Sequence, residues 1–208
     1  MTDNSKKIVS KIGLWAAVFT VIFGMAYIIA LFATLAGLLK PPWDMAYEVL
    51  PSIFLAPSFL VLMIAIHNYV PEERRIWSNI GMAFAIIYTT IVSIVYFTVL
   101  SVVLPNMLHG TVDKIYVLNW LPNSFLQNVD GIGYGFMSLA TLFSAFAFAR
   151  IGIELWARRF MIAHGIIIIG VIGSVFIPVF FAIAILWIIT FPLFSITLLI
   201  LFKKAASE

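Results

Sequence analysis

The chain has 208 residues, of which 63% are hydrophobic and 10% charged, and its mean hydropathy is +1.13. A soluble domain needs more polar surface than this, so the composition is that of a protein with lipid as its solvent. The formal charge of +3 falls on short gaps between apolar runs, where membrane topology accounts for it, so no nucleic-acid partner is expected. The absence of cysteine excludes disulfides, thiolate nucleophiles and thiolate metal sites.

Lys6, Lys7 and Lys11 precede an apolar run that continues to Lys40. The h-region of a cleaved signal spans about 7–15 residues, so this longer run is expected to be an uncleaved first crossing. A crossing takes about 20 helical residues at about 1.5 Å each. On that measure helices are expected near 12–39, 50–70, 76–104, 130–149, 160–179 and 182–202. The expected fold is therefore all-α, a single transmembrane domain over 1–208 with about six transmembrane helices. Pro71-Glu72-Glu73-Arg74-Arg75 should join the second and third as a tight antiparallel hairpin. Leu104-Pro105-Asn106 and Leu121-Pro122-Asn123 suit turns, and they bracket a stretch from Val112 to Leu121 that reads as a short interfacial helix. From Phe160 to Phe202 no charge interrupts the chain. Pro178 is the expected turn between two crossings, and the alternative is one broken helix with a re-entrant piece.

Charge gives an independent test of the count. Lys6, Lys7, Lys11, Arg74, Arg75, Arg150, Arg158, Arg159, Lys203 and Lys204 fall on one side of six crossings, against Lys40 and Lys114 on the other. The positive-inside rule then puts both termini in the cytoplasm. Trp15, Trp77 and Trp156 near inner ends and Trp43, Trp120 and Trp187 near outer ends read as interfacial belts.

The fourth expected helix carries the clearest polar pattern. Asp130, Tyr134, Ser138, Thr141 and Ser144 recur along one helical face. Asp130, before Gly131, reads as its N-cap. The third helix has a comparable line of Ser78, Thr89, Ser93 and Tyr96, with Thr90, Thr98 and Ser101 beside it. The two stripes are expected to face each other, either as interhelical packing or as a polar path with Asp130 as a cation or proton acceptor. Gly131, Gly133 and Gly135 suit close packing or a hinge, and they lack the strand context of a dinucleotide loop. Ala26, Ala30, Ala33 and Gly37 on the first helix and Gly170, Gly173 and Ser174 on the fifth form smooth faces for contact within the bundle or in an oligomer.

A second candidate site, at the cytoplasmic interface, comprises His67, Asn68, Asn79 and His164, with Glu72, Glu73 and Glu154 nearby. Imidazoles and carboxylates can bind a divalent metal or shuttle protons, but these show no ligand spacing, so no metal and no cofactor are assigned. Glu154 has Arg158 and Arg150 four residues away on either side as helical partners. No nucleophile elbow or other catalytic motif is present, so no catalytic residue is assigned and the reading leans away from an enzyme.

The stretch from His67 to Gly110, with its Pro-Glu-Glu-Arg-Arg hairpin and its tyrosine- and serine-bearing helix, together with Asp130-Gly131, resembles a group of uncharacterised prokaryotic integral membrane proteins of about this length. The resemblance implies a six-helix protein of a prokaryotic inner membrane and brings no activity with it. Three functions remain open: a small transporter, channel or permease-like protein; a non-catalytic assembly partner, acting as a homo-oligomer or with another membrane protein; and a lipid-modifying enzyme using His67 and His164. The bilayer is the one partner the composition requires. The topology has a direct check. A reporter that matures only in the cytoplasm should be active at both ends of the chain, and an exterior signal at either end would contradict six crossings.

Overall fold

The computed structural model describes residues 3–121 and 124–207. Seven helices have ten residues or more: α1 (Asp3–Leu35), α2 (Trp43–Tyr69), α3 (Arg75–Thr98), α4 (Phe125–Ala145), α5 (Gly152–Gly165), α6 (Ile167–Phe176) and α7 (Trp187–Ser207). A π-helical turn, Val99–Val103, and a further α-turn, Leu104–Leu108, prolong α3. Pro178–Phe180 and Phe181–Ile185 lead helically into α7.

Among the described residues, five stretches are long and apolar enough to cross a bilayer: Asn4–Leu35, Trp43–Tyr69, Glu72–Leu108, Gly152–Phe176 and Pro178–Ser207. The 21 residues of α4 match the length of a crossing, about 20 residues. Gln127, Asn128, Asp130 and the glycines lower its apolar character, and it lies between neighbours instead of facing lipid all round. Each helix packs on the next: α1 on α2, α2 on α3, α3 on α4, α4 on α5 and α6, α5 on α7, and α7 back on α1. The ring closes around an aromatic interior that includes Phe59, Tyr88, Phe191 and Phe194, all fully buried.

Local chemistry sets the ends. Helix α1 stops four residues before the expected boundary, in a Schellman motif. Gly37 takes φ 71°, its N–H bonds the Thr34 carbonyl at 2.9 Å, and the Leu38 N–H bonds that of Ala33 at 2.9 Å. Gly37 therefore leaves the small-residue face assigned to this helix. Helix α2 starts seven residues before the expected position and keeps Pro51 and Pro57 inside. Each proline is followed by a serine whose hydroxyl donates to the carbonyl four residues back: Ser52 to Glu48 at 2.9 Å and Ser58 to Phe54 at 2.8 Å. Leu104-Pro105-Asn106 continues the helix instead of turning, and the π-helical turn just before it is the local adjustment that accommodates a proline without an N–H. Residues 112–118 form a 3₁₀ stretch kinked at Ile115. Pro122 and Asn123 of the second bracketing motif lie outside the described residues.

The chain reverses at Ile177, whose φ of −137° and ψ of 107° are the extended backbone favoured before proline. A Cβ on Gly170 would overlap Ala184 and Ile183, and one on Gly173 would overlap Phe180. The smooth face of the fifth expected helix is thus filled from within the chain. Its first turns begin at Gly152, eight residues before the expected start, with Glu154 and Arg158 turned inward. Glu154 accepts from the Tyr69 hydroxyl at 3.1 Å and from the Ala149 N–H at 2.6 Å. Arg158 donates to the carbonyls of Phe146 and Phe148, closing the carboxyl end of α4. These contacts replace the helical ion pairs expected for Glu154. With Tyr69 against Phe202 and Arg74 close enough to act on Arg158, they gather all ten basic residues of the majority set at one end of the bundle, the basic end.

Close approach of the helices is selective, and so is the expected damage. A Cβ at Gly81 would overlap Ser144 and the Ala140 carbonyl, whereas one at Gly131 would meet nothing within 4 Å. Gly81→Ala and Gly170→Ala should each destabilise the protein by about 1–3 kcal/mol. Gly131→Ala should be neutral or slightly stabilising through helix propensity. Thermal unfolding in detergent checks the contrast.

Candidate functional site

Asp130 does not cap α4. Ser124 does, accepting from the Gln127 N–H at 3.4 Å, which leaves Asp130 in the second turn of the helix. It is half-buried overall, but its Oδ1 is fully buried with no hydrogen-bond partner among the described residues. The Tyr96 hydroxyl lies within the electrostatic reach of the carboxylate. It is itself 2.9 Å from the Tyr134 hydroxyl. Either hydroxyl can be the donor in that bond.

Rings close the site. The Tyr88 and Tyr134 centroids are 5.9 Å apart, Tyr134 and Trp187 5.7 Å, and Tyr27 and Trp187 5.4 Å, all edge-on. Edge-on aromatic pairs of this kind contribute about 0.5–1.5 kcal/mol beyond their buried area. The Tyr88 hydroxyl and the Trp187 indole N–H are buried without partners among the described residues. Tyr27 of α1 lies within the electrostatic reach of both Asp130 and Glu48. Glu48, in α2, accepts a 2.7 Å bond from Thr34 of α1. One half of the bundle, away from the basic end, therefore holds two carboxylates and several polar rings. The π-helical turn of α3 begins three residues after Tyr96. Such turns arise where a helix accommodates an irregularity and recur at functional sites.

Helices α3 and α4 do face each other, but the hydroxyl stripes are not one continuous line. Ser138 donates to the Tyr134 carbonyl at 3.0 Å and Thr141 to the Ser138 carbonyl at 2.9 Å, both within α4. Thr89 turns toward α2 and donates to the Ala56 carbonyl at 3.1 Å. Ser78 is buried, donates to the Arg75 carbonyl at 3.0 Å and meets His67 Nδ1 at 3.0 Å. Ser93 is half-buried. Ser144 is buried against Gly81 with no partner for its hydroxyl among the described residues. Thr90, Thr98 and Ser101 bond carbonyls of their own helix. The seam is thus tight toward the basic end and polar around Asp130.

The second set disperses. His67 bonds Ser78, Asn68 donates to the Ile64 carbonyl at 2.9 Å and Asn79 is exposed. His164 is fully buried against the ring of Phe194, at 4.7 Å, with Nδ1 3.1 Å from the Thr190 hydroxyl. Its Nε2 has no partner among the described residues, where no group of three or more His, Asp or Glu side chains converges to hold a metal. The sequence reading missed Tyr27, Glu48 and Tyr88, and it assigned Trp187 to an interfacial belt. Trp187 is instead 7% exposed, whereas Trp15, Trp43, Trp77 and Trp156 are exposed as a belt requires. One signal was available for Glu48: it is a carboxylate four residues after Asp44, ahead of a proline-containing apolar run.

Compared with known proteins, the chain matches no protein-family model, no curated protein and no solved structure. The site therefore rests on its own geometry. A double-mutant cycle of Tyr96→Phe and Tyr134→Phe should show a coupling of about 0.6 kcal/mol, the average for a hydrogen bond between membrane helices. Strictly additive losses in thermal unfolding would mean that the two hydroxyls do not bond.

Proposed function

We propose that this polytopic helical protein crosses a prokaryotic inner membrane six times, with α4 as the fourth crossing and both termini cytoplasmic, and works as a small transporter of protons or monovalent cations. The observation that carries the reading is Asp130: a half-buried carboxylate of the bundle, within the electrostatic reach of Tyr96, whose Oδ1 is buried without a partner among the described residues. Ionisable residues within membrane helices face protein interiors or water-filled cavities and mark ion pathways, because their insertion costs about 2.5–3.5 kcal/mol on translocon scales. A buried polar atom without a partner is an exception that calls for a water, an ion or a ligand.

In this reading Asp130 Oδ1 takes the proton or cation, and the Tyr96–Tyr134 pair shares the charge that remains. The rings of Tyr88, Tyr134 and Trp187 exclude bulk water and offer faces suited to a cation. Release toward the basic end requires α4 to part from α3 along the Gly81–Ser144 seam. The π-turn of α3 and the glycines at 131, 133 and 135 are the points of backbone adjustment for that movement. Ser138 and Thr141 then become the lining of the opened half.

Reconstitution into liposomes under a proton, sodium or potassium gradient tests the proposal. Wild-type protein should dissipate one of these gradients. Asp130→Asn should slow that flux at least about tenfold, the size expected when an essential charge-assisted contact is removed. Unchanged flux in Asp130→Asn, or no flux of any of the three ions in the wild type, would refute it.

A further inference from the structure

At the basic end, the first turns of α1, the last turn of α2, the link to α3 and the end of α7 enclose a cleft of about 740 Å³. Its polar lining includes Asn4, Lys6, Lys7, Ser10, Asn68 and Arg75, with Glu72 as the one carboxylate among its lining residues. Arg75 is held by the fold, because it opens α3 and its carbonyl is bonded by Ser78. Its Nε is buried with no hydrogen-bond partner among the described residues. Lys6 and Lys7 are exposed one turn into α1. Beside them in the chain, Ile8, Ile12 and Ile76 turn about half or more of their surface outward.

Topology alone asks only that basic residues lie on the cytoplasmic side. It does not ask that three converge on one concavity, nor that an arginine keep a buried, unbonded donor there. A guanidinium fork with two ammonium groups is the donor set for a phosphate ester, which takes paired N–H donors from arginine and point charges from lysine. Basic pockets between membrane helices at the cytoplasmic surface bind anionic headgroups in this way. The exposed isoleucines beside the cleft supply apolar surface along which acyl chains can lie.

We propose that this cleft binds the phosphate of an anionic phospholipid headgroup, with Arg75 as the fixed fork and Lys6 and Lys7 as the adaptable partners. The assignment is independent of the transport reading, since no residue of the cleft belongs to the Asp130 cluster. A free phosphate has the same recognition chemistry, and the test separates the two sources.

Full-length protein in neutral detergent is given phosphatidylglycerol and phosphatidylcholine in equal amounts, and the retained lipids are counted by native mass spectrometry. Phosphatidylglycerol should be retained at least about fivefold over phosphatidylcholine, as one to several surface cations imply. Lys6→Gln with Lys7→Gln, exposed positions that leave the core untouched, should erase that preference. Arg75→Lys should weaken it, because charge without the fork is the poorer phosphate partner. Lys203→Gln with Lys204→Gln, at the same end but outside the cleft lining, should leave it intact. Equal retention of both lipids, or equal loss in the Lys203 and Lys204 variant, would overturn the proposal. Complete displacement of phosphatidylglycerol by excess inorganic phosphate, with phosphate retained in its place, would overturn the lipid as the source.

Discussion

The hydrogen bond between the Tyr96 and Tyr134 hydroxyls, 2.9 Å long, is the polar contact on which the packing beside Asp130 depends. That contact joins the tail of α3 to the third turn of α4 and sets the height at which the two helices meet. Once Tyr96 and Tyr134 are level, Val92 lies against Gly133 and Gly81 lies against Ser144. The aromatic interior then continues from Tyr134 to Trp187 and Tyr88, and from Tyr88 to Phe59 at 5.4 Å. Polar contact and ring packing thus specify one arrangement together.

The two halves of the molecule are built differently. Toward the basic end the helices meet through glycine, alanine and serine, and hydroxyls are spent on carbonyls of their own helix. Close backbone approach of this kind gives van der Waals contact, which stabilises helix association in lipid where the hydrophobic effect between helices is absent. Away from the basic end, tyrosines, Trp187, Glu48 and Asp130 join the glycines at 131, 133 and 135, and the Tyr88 hydroxyl, Asp130 Oδ1 and the Trp187 N–H remain unbonded among the described residues. Unbonded buried donors and acceptors cost about 1–3 kcal/mol each. They occur at both ends of the bundle: at Tyr88, Asp130 and Trp187 away from the basic end, and at Arg75 and Ser144 toward it.

Much of the architecture was legible in the sequence. Apolar runs found five spans that length and composition support, Pro178 marked the reversal, and the basic residues fell at one end as their spacing implied. Helix starts were read less well, and the errors share a cause. Helix α2 begins at Trp43 and α4 at Phe125, before the apolar runs that define them. Their opening turns contain Asp44 and Glu48, or Gln127, Asn128 and Asp130, residues that read as loop on hydropathy alone. Starting α4 at Asp130 made that residue a cap. Starting it at Phe125, with Ser124 as the cap, turns the same residue inward. Glu48 was lost by the same error in α2. Trp187 was misplaced because a tryptophan at a helix end has the same local sequence whether it faces headgroups or a neighbouring ring, and only the position of α1 and α4 decides between them. The hydroxyl stripes had the right period, but Thr89 faces α2 because α3 is shared between two neighbours.

Asp130 is a half-buried carboxylate whose Oδ1 is buried and without a partner among the described residues, and the central proposal is that this oxygen takes a ligand. Carbodiimide labelling of the protein in vesicles, mapped by mass spectrometry, tests it most directly. An apolar carbodiimide should modify Asp130 and a water-soluble one should not, while Glu72 and Glu73, exposed in the 71–75 link, should react with the soluble reagent. On the proposed function, the cation whose gradient the protein dissipates should protect Asp130 from the apolar reagent. Modification of Asp130 by the soluble reagent as readily as Glu72, or no modification by the apolar one, would contradict the account.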